Sequence, residues 1–262
     1  MPPPQPLITP RCPTLRSVST NIGTQSLDAN SSLFKFSNLT SFSIIVRHGL
    51  PGSDPFLPAE ELPHAFWDMI LHRCPTLEEL AICSFSSSAR VFNFDRVVEG
   101  SWPALHSLTL GSFGYNEDFS LGPLTLLNDG AITRFLANQR SLKYLRFIWN
   151  FRSFMSPDEV SFTLPSKSLP SLTTFIGIYQ QLAKLDNPET IETLDLTCEP
   201  IYQTRMPAVC PILRSLPNLT SLEIWVHLFD PNTDNAQIFN GIMEACPKLP
   251  DLPFMCTHSF TS

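Results

Sequence analysis

Few side chains in this chain could do chemistry, and their spacing limits what that chemistry could be. The six histidines, His48, His64, His72, His106, His227 and His258, are dispersed. The nearest approach to metal-ligand spacing is Cys256-Thr257-His258 with Cys246 upstream. That set offers three donors at unsuitable spacing, whereas a structural zinc site takes four. Paired carboxylates occur at Glu60-Glu61 and Glu78-Glu79, but adjacent acids belong to solvated faces more often than to an acid/base site. No glycine-rich phosphate loop, nucleophile elbow or H-E-x-x-H helix is present. The reading is of a chain that is not an enzyme and carries no cofactor or metal.

Recognition chemistry is better supplied, and a repeat is what would position it. The core P-x-L-x-x-L-x-L, seen in Cys74-Pro75-Thr76-Leu77-Glu78-Glu79-Leu80-Ala81-Ile82-Cys83, recurs with substitutions along the whole chain. Its first apolar residue falls at Leu15, Leu39, Leu77, Leu105, Leu142, Leu172, Ile191, Leu219 and Leu249. The intervals of 24, 38, 28, 37, 30, 19, 28 and 30 residues are irregular but centred where leucine-rich repeats fall. Apolar triplets at this spacing are common by chance, so proline carries the argument. Pro13, Pro75, Pro103, Pro170, Pro217 and Pro247 each stand two places before a first apolar residue. Proline cannot continue a helix and biases its predecessor toward extended geometry, so it marks where an outer segment stops and a strand begins.

The expected architecture is therefore α/β: a leucine-rich-repeat solenoid with a concave parallel sheet and short helices or loops on the convex side. One domain covers residues 1–262, with 1–14 a ragged lead-in and about nine irregular repeats from 15 onward. Outer helices are expected over 59–73, with Phe66, Trp67, Ile70 and Leu71 on one face, and near Asp129 with Ile132, Phe135 and Leu136. A turn is expected around 180–185, and further helices carry Val209, Ile212, Leu213 and Leu216, then Ile238, Phe239, Ile242 and Met243. Ser156-Pro157-Asp158-Glu159 reads as a capping box.

Strand alternation then sorts the side chains. If the apolar triplet points into the core, residues two and four places after its first member face the concave surface. Most are small and polar, such as Ser17, Ser19, Ser41, Ser43, Ser107 and Thr109. The exceptions gather in the second half: Tyr144, Arg146, Ile176, Asp195 and Glu223, extended by Ile148, Ile178 and Trp225. Tyr, Trp and Arg are over-represented among interface hot spots. Tyr144, Arg146, Ile148, Ile176, Ile178, Glu223 and Trp225 are thus the expected protein-binding residues.

Charge and composition narrow the partner. The net charge is −7 and no Lys/Arg block occurs, so nucleic acid is not expected. No stretch approaches the roughly 18 apolar residues of a membrane span, and Met1-Pro2-Pro3-Pro4-Gln5-Pro6 does not read as a targeting peptide. Seven scattered cysteines suit buried thiols in a reducing compartment, the cytoplasm or nucleus. Cys12, Cys74 and Cys246, each before a repeat proline, are expected to act as small core hydrophobes.

The Cys74-Pro75-Thr76-Leu77-Glu78-Glu79-Leu80 pattern resembles the cysteine-containing leucine-rich repeats of F-box proteins, particularly the divergent fungal F-box-like group. That resemblance implies a repeat region that recognises a protein substrate, while an N-terminal F-box docks on the adaptor of a cullin-based ubiquitin ligase. No F-box is read before the first repeat, so an adaptor is expected as partner only if an F-box is supplied elsewhere. Leu57-Pro58-Ala59-Glu60-Glu61-Leu62 has the flavour of an F-box opening but reads better as a repeat's own outer helix. An enzyme with its site in the loops 47–58 and 111–122 is the alternative, disfavoured because those loops bring little convergent chemistry.

Overall fold

The structure, a computed structural model, describes residues 14–22, 30–48, 60–86, 92–93, 95–113, 129–149, 167–185, 188–229, 235–250 and 252–258. Within these, the strands in chain order are β1 (Ser17–Ile22), β2 (Ser41–His48), β3 (Glu60–Glu61), β4 (Glu79–Ser86), β5 (Phe92–Asn93), β6 (Ser107–Phe113), β7 (Tyr144–Trp149), β8 (Thr174–Ile176), β9 (Thr193–Tyr202), β10 (Ser221–Leu228) and β11 (Phe254–His258). Nine of them form one sheet in the order β1-β2-β4-β6-β7-β8-β9-β10-β11. Every pairing in that sheet is parallel. β3 and β5 pair separately. Each copy of the sequence repeat thus contributes one strand, set beside the strand of the preceding copy.

The register shows why the repeat is legible. The second apolar residue of each of the first eight copies forms one row across the sheet, Val18, Phe42, Leu80, Leu108, Leu145, Phe175, Leu194 and Leu222, each paired with the next. From Phe42 to Leu222 these residues are buried, and Val18 packs partly buried at the start of the row. Intervals between copies vary, yet the strands stay aligned because the backbone repeats a staircase. The carbonyls of Arg16, Thr40, Glu78, His106, Lys143, Thr173 and Glu192 each accept two successive N–H groups from the next copy. Length differences are absorbed in the outer segments, beyond the reach of this ladder.

The repeat proline has a more specific role than a boundary mark. In Trp102-Pro103-Ala104-Leu105, Leu169-Pro170-Ser171-Leu172, Leu216-Pro217-Asn218-Leu219 and Cys246-Pro247-Lys248-Leu249, the fourth N–H donates to the first carbonyl at 3.0–3.2 Å. Proline is therefore the second residue of a turn, where its fixed φ near −65° is already correct. The strand begins four residues later, as at Ser107 and Ser221.

The helices are α1 (His64–Asp68), α2 (Asp129–Asn138), α3 (Tyr179–Leu182), α4 (Met206–Arg214) and α5 (Asn235–Ala245). The helix expected over 59–73 starts only at His64, because Glu60–Glu61 pairs in β3 and Pro63 sets extended backbone before the first turn. It continues as a widened turn over Met69–Arg73, and Phe66, Trp67 and Ile70 are buried. Along α5, Ile238, Ile242 and Ala245 face inward. Met243, on the same helix, is 46% exposed, since it lies about 100° around the helix from Ile242.

Copy six is the shortest and solves its packing differently. Its third apolar place is Gly177, which is buried. A Cβ there would meet Gln181 Oε1 at 2.6 Å and the Phe175 ring at 2.9 Å. The fully buried Gln181 side chain fills the space and accepts a hydrogen bond from the Ile178 N–H at 3.1 Å. The capping box at 156–159 and Cys12 lie outside the described residues.

Candidate functional site

The sheet face opposite the apolar rows is where the expected binding residues fall. One row runs Ser17, Ser41, Glu79, Ser107, Tyr144, Thr174, Thr193 and Ser221. The next runs Ser19, Ser43, Ala81, Thr109, Arg146, Ile176, Asp195 and Glu223. Arg146, Ile176, Asp195 and Glu223 are thus consecutive neighbours on four strands, although they span 78 positions of sequence. Trp225 follows one alternate place beyond Glu223 and pairs with Met255 of β11.

Two of the expected residues stand apart from this group. Ile178 lies beyond the end of β8 and is 4% exposed, within the core, because β8 is only three residues long and the chain turns into α3. Ile148 lies in β7, but its side chain is outside what the structure describes. Trp225 is half-buried and Glu223 exposed.

Tyr144 and Arg146 act as a pair. Burial pushes the Tyr144 hydroxyl above the usual phenol range; the Arg146 charge and its hydrogen bond to that hydroxyl pull it back, while Asp195 pushes it up. Among the described residues, Arg146 Nε is buried with no hydrogen-bond partner. Arg146 also acts on Cys83, whose thiol burial pushes up to about 11. A buried thiol held protonated is a poor nucleophile, and a phenol raised above its usual range stays a neutral donor. The cluster therefore offers hydrogen-bonding and aromatic surface.

β9 departs from regular geometry beside this cluster. Leu196 pairs with Ile224 and Ile201 with Val226, so Thr197, Cys198, Glu199 and Pro200 together oppose Trp225 in a wide bulge. Asp195 Oδ1 locks its start, accepting from the Thr197 N–H at 2.8 Å and the Thr197 hydroxyl at 2.6 Å. Cys198 Sγ reaches the Phe147 carbonyl at 3.9 Å, bridging to β7 past the short β8. Glu199, half-buried in the bulge, has its carboxyl pushed up to about 7 by burial.

Past the bulge lies a feature that the sequence reading missed. Tyr202, His227 and Phe229 form a ring cluster, with Tyr202 and His227 edge-to-face at 5.3 Å and Phe229 within 6.3 Å of both. Tyr202 and Met255 are each 50% exposed and Phe229 39%. His227 and Phe229 were legible as the continued alternation after Trp225. Tyr202 was not, because only the bulge returns it to the open face.

A hollow of about 380 Å³ lies elsewhere, between residues 98–103 and α2, walled by Trp102 and Phe135. Arg134 is its single ionisable lining group. Of the loops 47–58 and 111–122, the structure describes only 47–48 and 111–113. Among the described residues, no three His, Cys, Asp or Glu side chains are placed to hold a metal, and no helix is long and apolar enough to cross a membrane. Among the described residues, six cysteines stand outside any disulfide, with Cys74 and Cys246 buried at their turns. No protein-family model matches the sequence, and no curated protein matches it.

Proposed function

We propose that this chain is a protein-interaction module, a leucine-rich-repeat solenoid whose open, concave sheet face receives a protein partner. The observation that carries the reading is the continuous row of Arg146, Ile176, Asp195 and Glu223, flanked by Tyr144 and Trp225. Tyr144 and Trp225 lie three strands apart and four places offset along them, on the order of 20 Å, so one extended docking segment can touch both. Ser and Thr at neighbouring places keep the ground around them low. Aromatic and guanidinium groups supply contact area with few rotatable bonds to order. In its more specific form the reading is substrate recognition for a cullin-based ubiquitin ligase, in the cytoplasm or nucleus, with the F-box supplied elsewhere. The resemblance of Cys74-Pro75-Thr76-Leu77 and its neighbours to F-box-protein repeats supports that form.

The test is affinity capture with quantitative mass spectrometry, comparing the natural chain with Tyr144→Ala and Trp225→Ala. Each substitution is expected to weaken the captured partner by more than about 1 kcal/mol while circular dichroism stays unchanged. Equal weakening by Ser17→Ala or Ser41→Ala would mean that the face is used uniformly. Unfolding of Trp225→Ala would assign that residue to the core. Stoichiometric recovery of the ligase adaptor would make the helix starting at His64 a docking element.

A further inference from the structure

We propose that the aromatic patch at the C-terminal ends of β9 and β10 docks an extended, lysine- or arginine-bearing segment of the partner protein. This rests on the reading of the open face as a protein-binding surface and adds the chemistry of what binds there. Large apolar side chains are normally drawn inward, yet Tyr202 at the end of β9 and Phe229 just past β10 are well exposed, and exposed Met255 stands beside Trp225 on the neighbouring strand. Tyr202, His227 and Phe229 brace one another through ring contacts. A partner therefore meets a surface that is already ordered, so little side-chain entropy is lost on docking.

Charge selects the occupant. Strands β8 to β11 carry no Lys or Arg. Their acids are Glu223, Asp195 and Glu199, the last with its carboxyl pushed up to about 7 by burial. The cation of the same row, Arg146, stands three strands from Glu223. Glu223 is exposed on the same face and the same strand as His227. The first basic residue met after β9 is Arg205, in the turn over Gln203–Arg205 that leaves the sheet. Acidic or phosphorylated segments would be repelled by Glu223, whereas a cation is attracted to it and an apolar residue of the same segment to the ring faces. The spacing adds a second constraint. Glu223 and Phe229 are six places apart along one extended run, about 20 Å. A partner placing its cation at Glu223 and an apolar residue at Phe229 needs about six extended residues between them. The three ring centroids lie only 5.3–6.3 Å from one another, so the rings pack together and the partner stacks on their outward faces.

The experiment is fluorescence anisotropy with two fluorescein-labelled peptides. One carries paired lysines, a serine-glycine spacer of about six residues and paired leucines; the other replaces the lysines with glutamates. The lysine peptide is expected to bind and the glutamate peptide to bind at least about tenfold more weakly. Glu223→Lys and Phe229→Ser should each weaken the lysine peptide by about tenfold. Glu244→Lys makes the same charge change on exposed α5 and should leave binding within about twofold. Loss equal to that of Glu223→Lys would mean bulk charge alone and overturn the proposal, as would absence of binding by either peptide. If both peptides bind alike and Tyr144→Ala or Trp225→Ala weakens both, charge selection fails while the open face stands as the binding surface.

Discussion

Replacing Glu199 with glutamine should stabilise the folded chain at neutral and higher pH, because this carboxyl is desolvated in the β9 bulge without a compensating cation. Burial moves it from an ordinary 4.5 to about 7. Folding therefore takes up a proton in that interval, and the stabilisation from the protonated form is full below about 4.5. It is lost as the pH rises through about 7. The displacement corresponds to roughly 3 kcal/mol at most. Glu199 is only half-buried, and screening by water reduces the expected effect to about 1–2 kcal/mol. Glutamine keeps the shape and removes the charge. Urea denaturation of both proteins at pH 5 and pH 8 reads the difference directly, since all other titrations cancel between them. Glu199→Gln should match the natural chain near pH 5 and exceed it near pH 8. Equal stability at both pH values would refute the desolvated placement, and a glutamine variant weaker at pH 8 would mean that the charge has a partner.

Other expectations follow from packing. Leu108→Ala, in the fully buried row between Leu80 and Leu145, should cost about 2–5 kcal/mol in denaturation, and a change within about 0.5 kcal/mol would mean the register is wrong. Gly100→Ala would drive a Cβ into the Trp102 ring, which is buried with its Nε1 donating to the Ile70 carbonyl at 3.3 Å. That should cost about 1–3 kcal/mol by overpacking and perturb tryptophan fluorescence; a neutral outcome would show that the ring is free to move.

The parallel sheet was legible because its cause is local. Proline two places before an apolar residue presets a turn, and alternation beyond it sends Leu80, Leu108 and Leu222 to one side and Ser107, Thr109 and Glu223 to the other. Nothing in that logic requires contacts between distant residues. What failed to show depended on departures from the period. Ile178 satisfies the alternation numerically, but β8 ends at Ile176 and the chain turns inward. Tyr202 breaks the alternation and reaches the open face through four bulged residues that no spacing rule anticipates. The helix before Cys74 begins late because Pro63 and the β3 pairing outweigh the helical preference of Ala59, Glu60 and Glu61.

Hydroxyl-radical footprinting of the complex with the captured partner tests the central claim most directly, because reactive side chains of comparable exposure stand on both sides of the molecule. Tyr202 and Met255 are each 50% exposed on the open face, and Met243 is 46% exposed on α5. Binding at the open face predicts that oxidation of Tyr202 and Met255 falls while Met243 is oxidised as before. Protection of Met243 with Tyr202 and Met255 unchanged would contradict it.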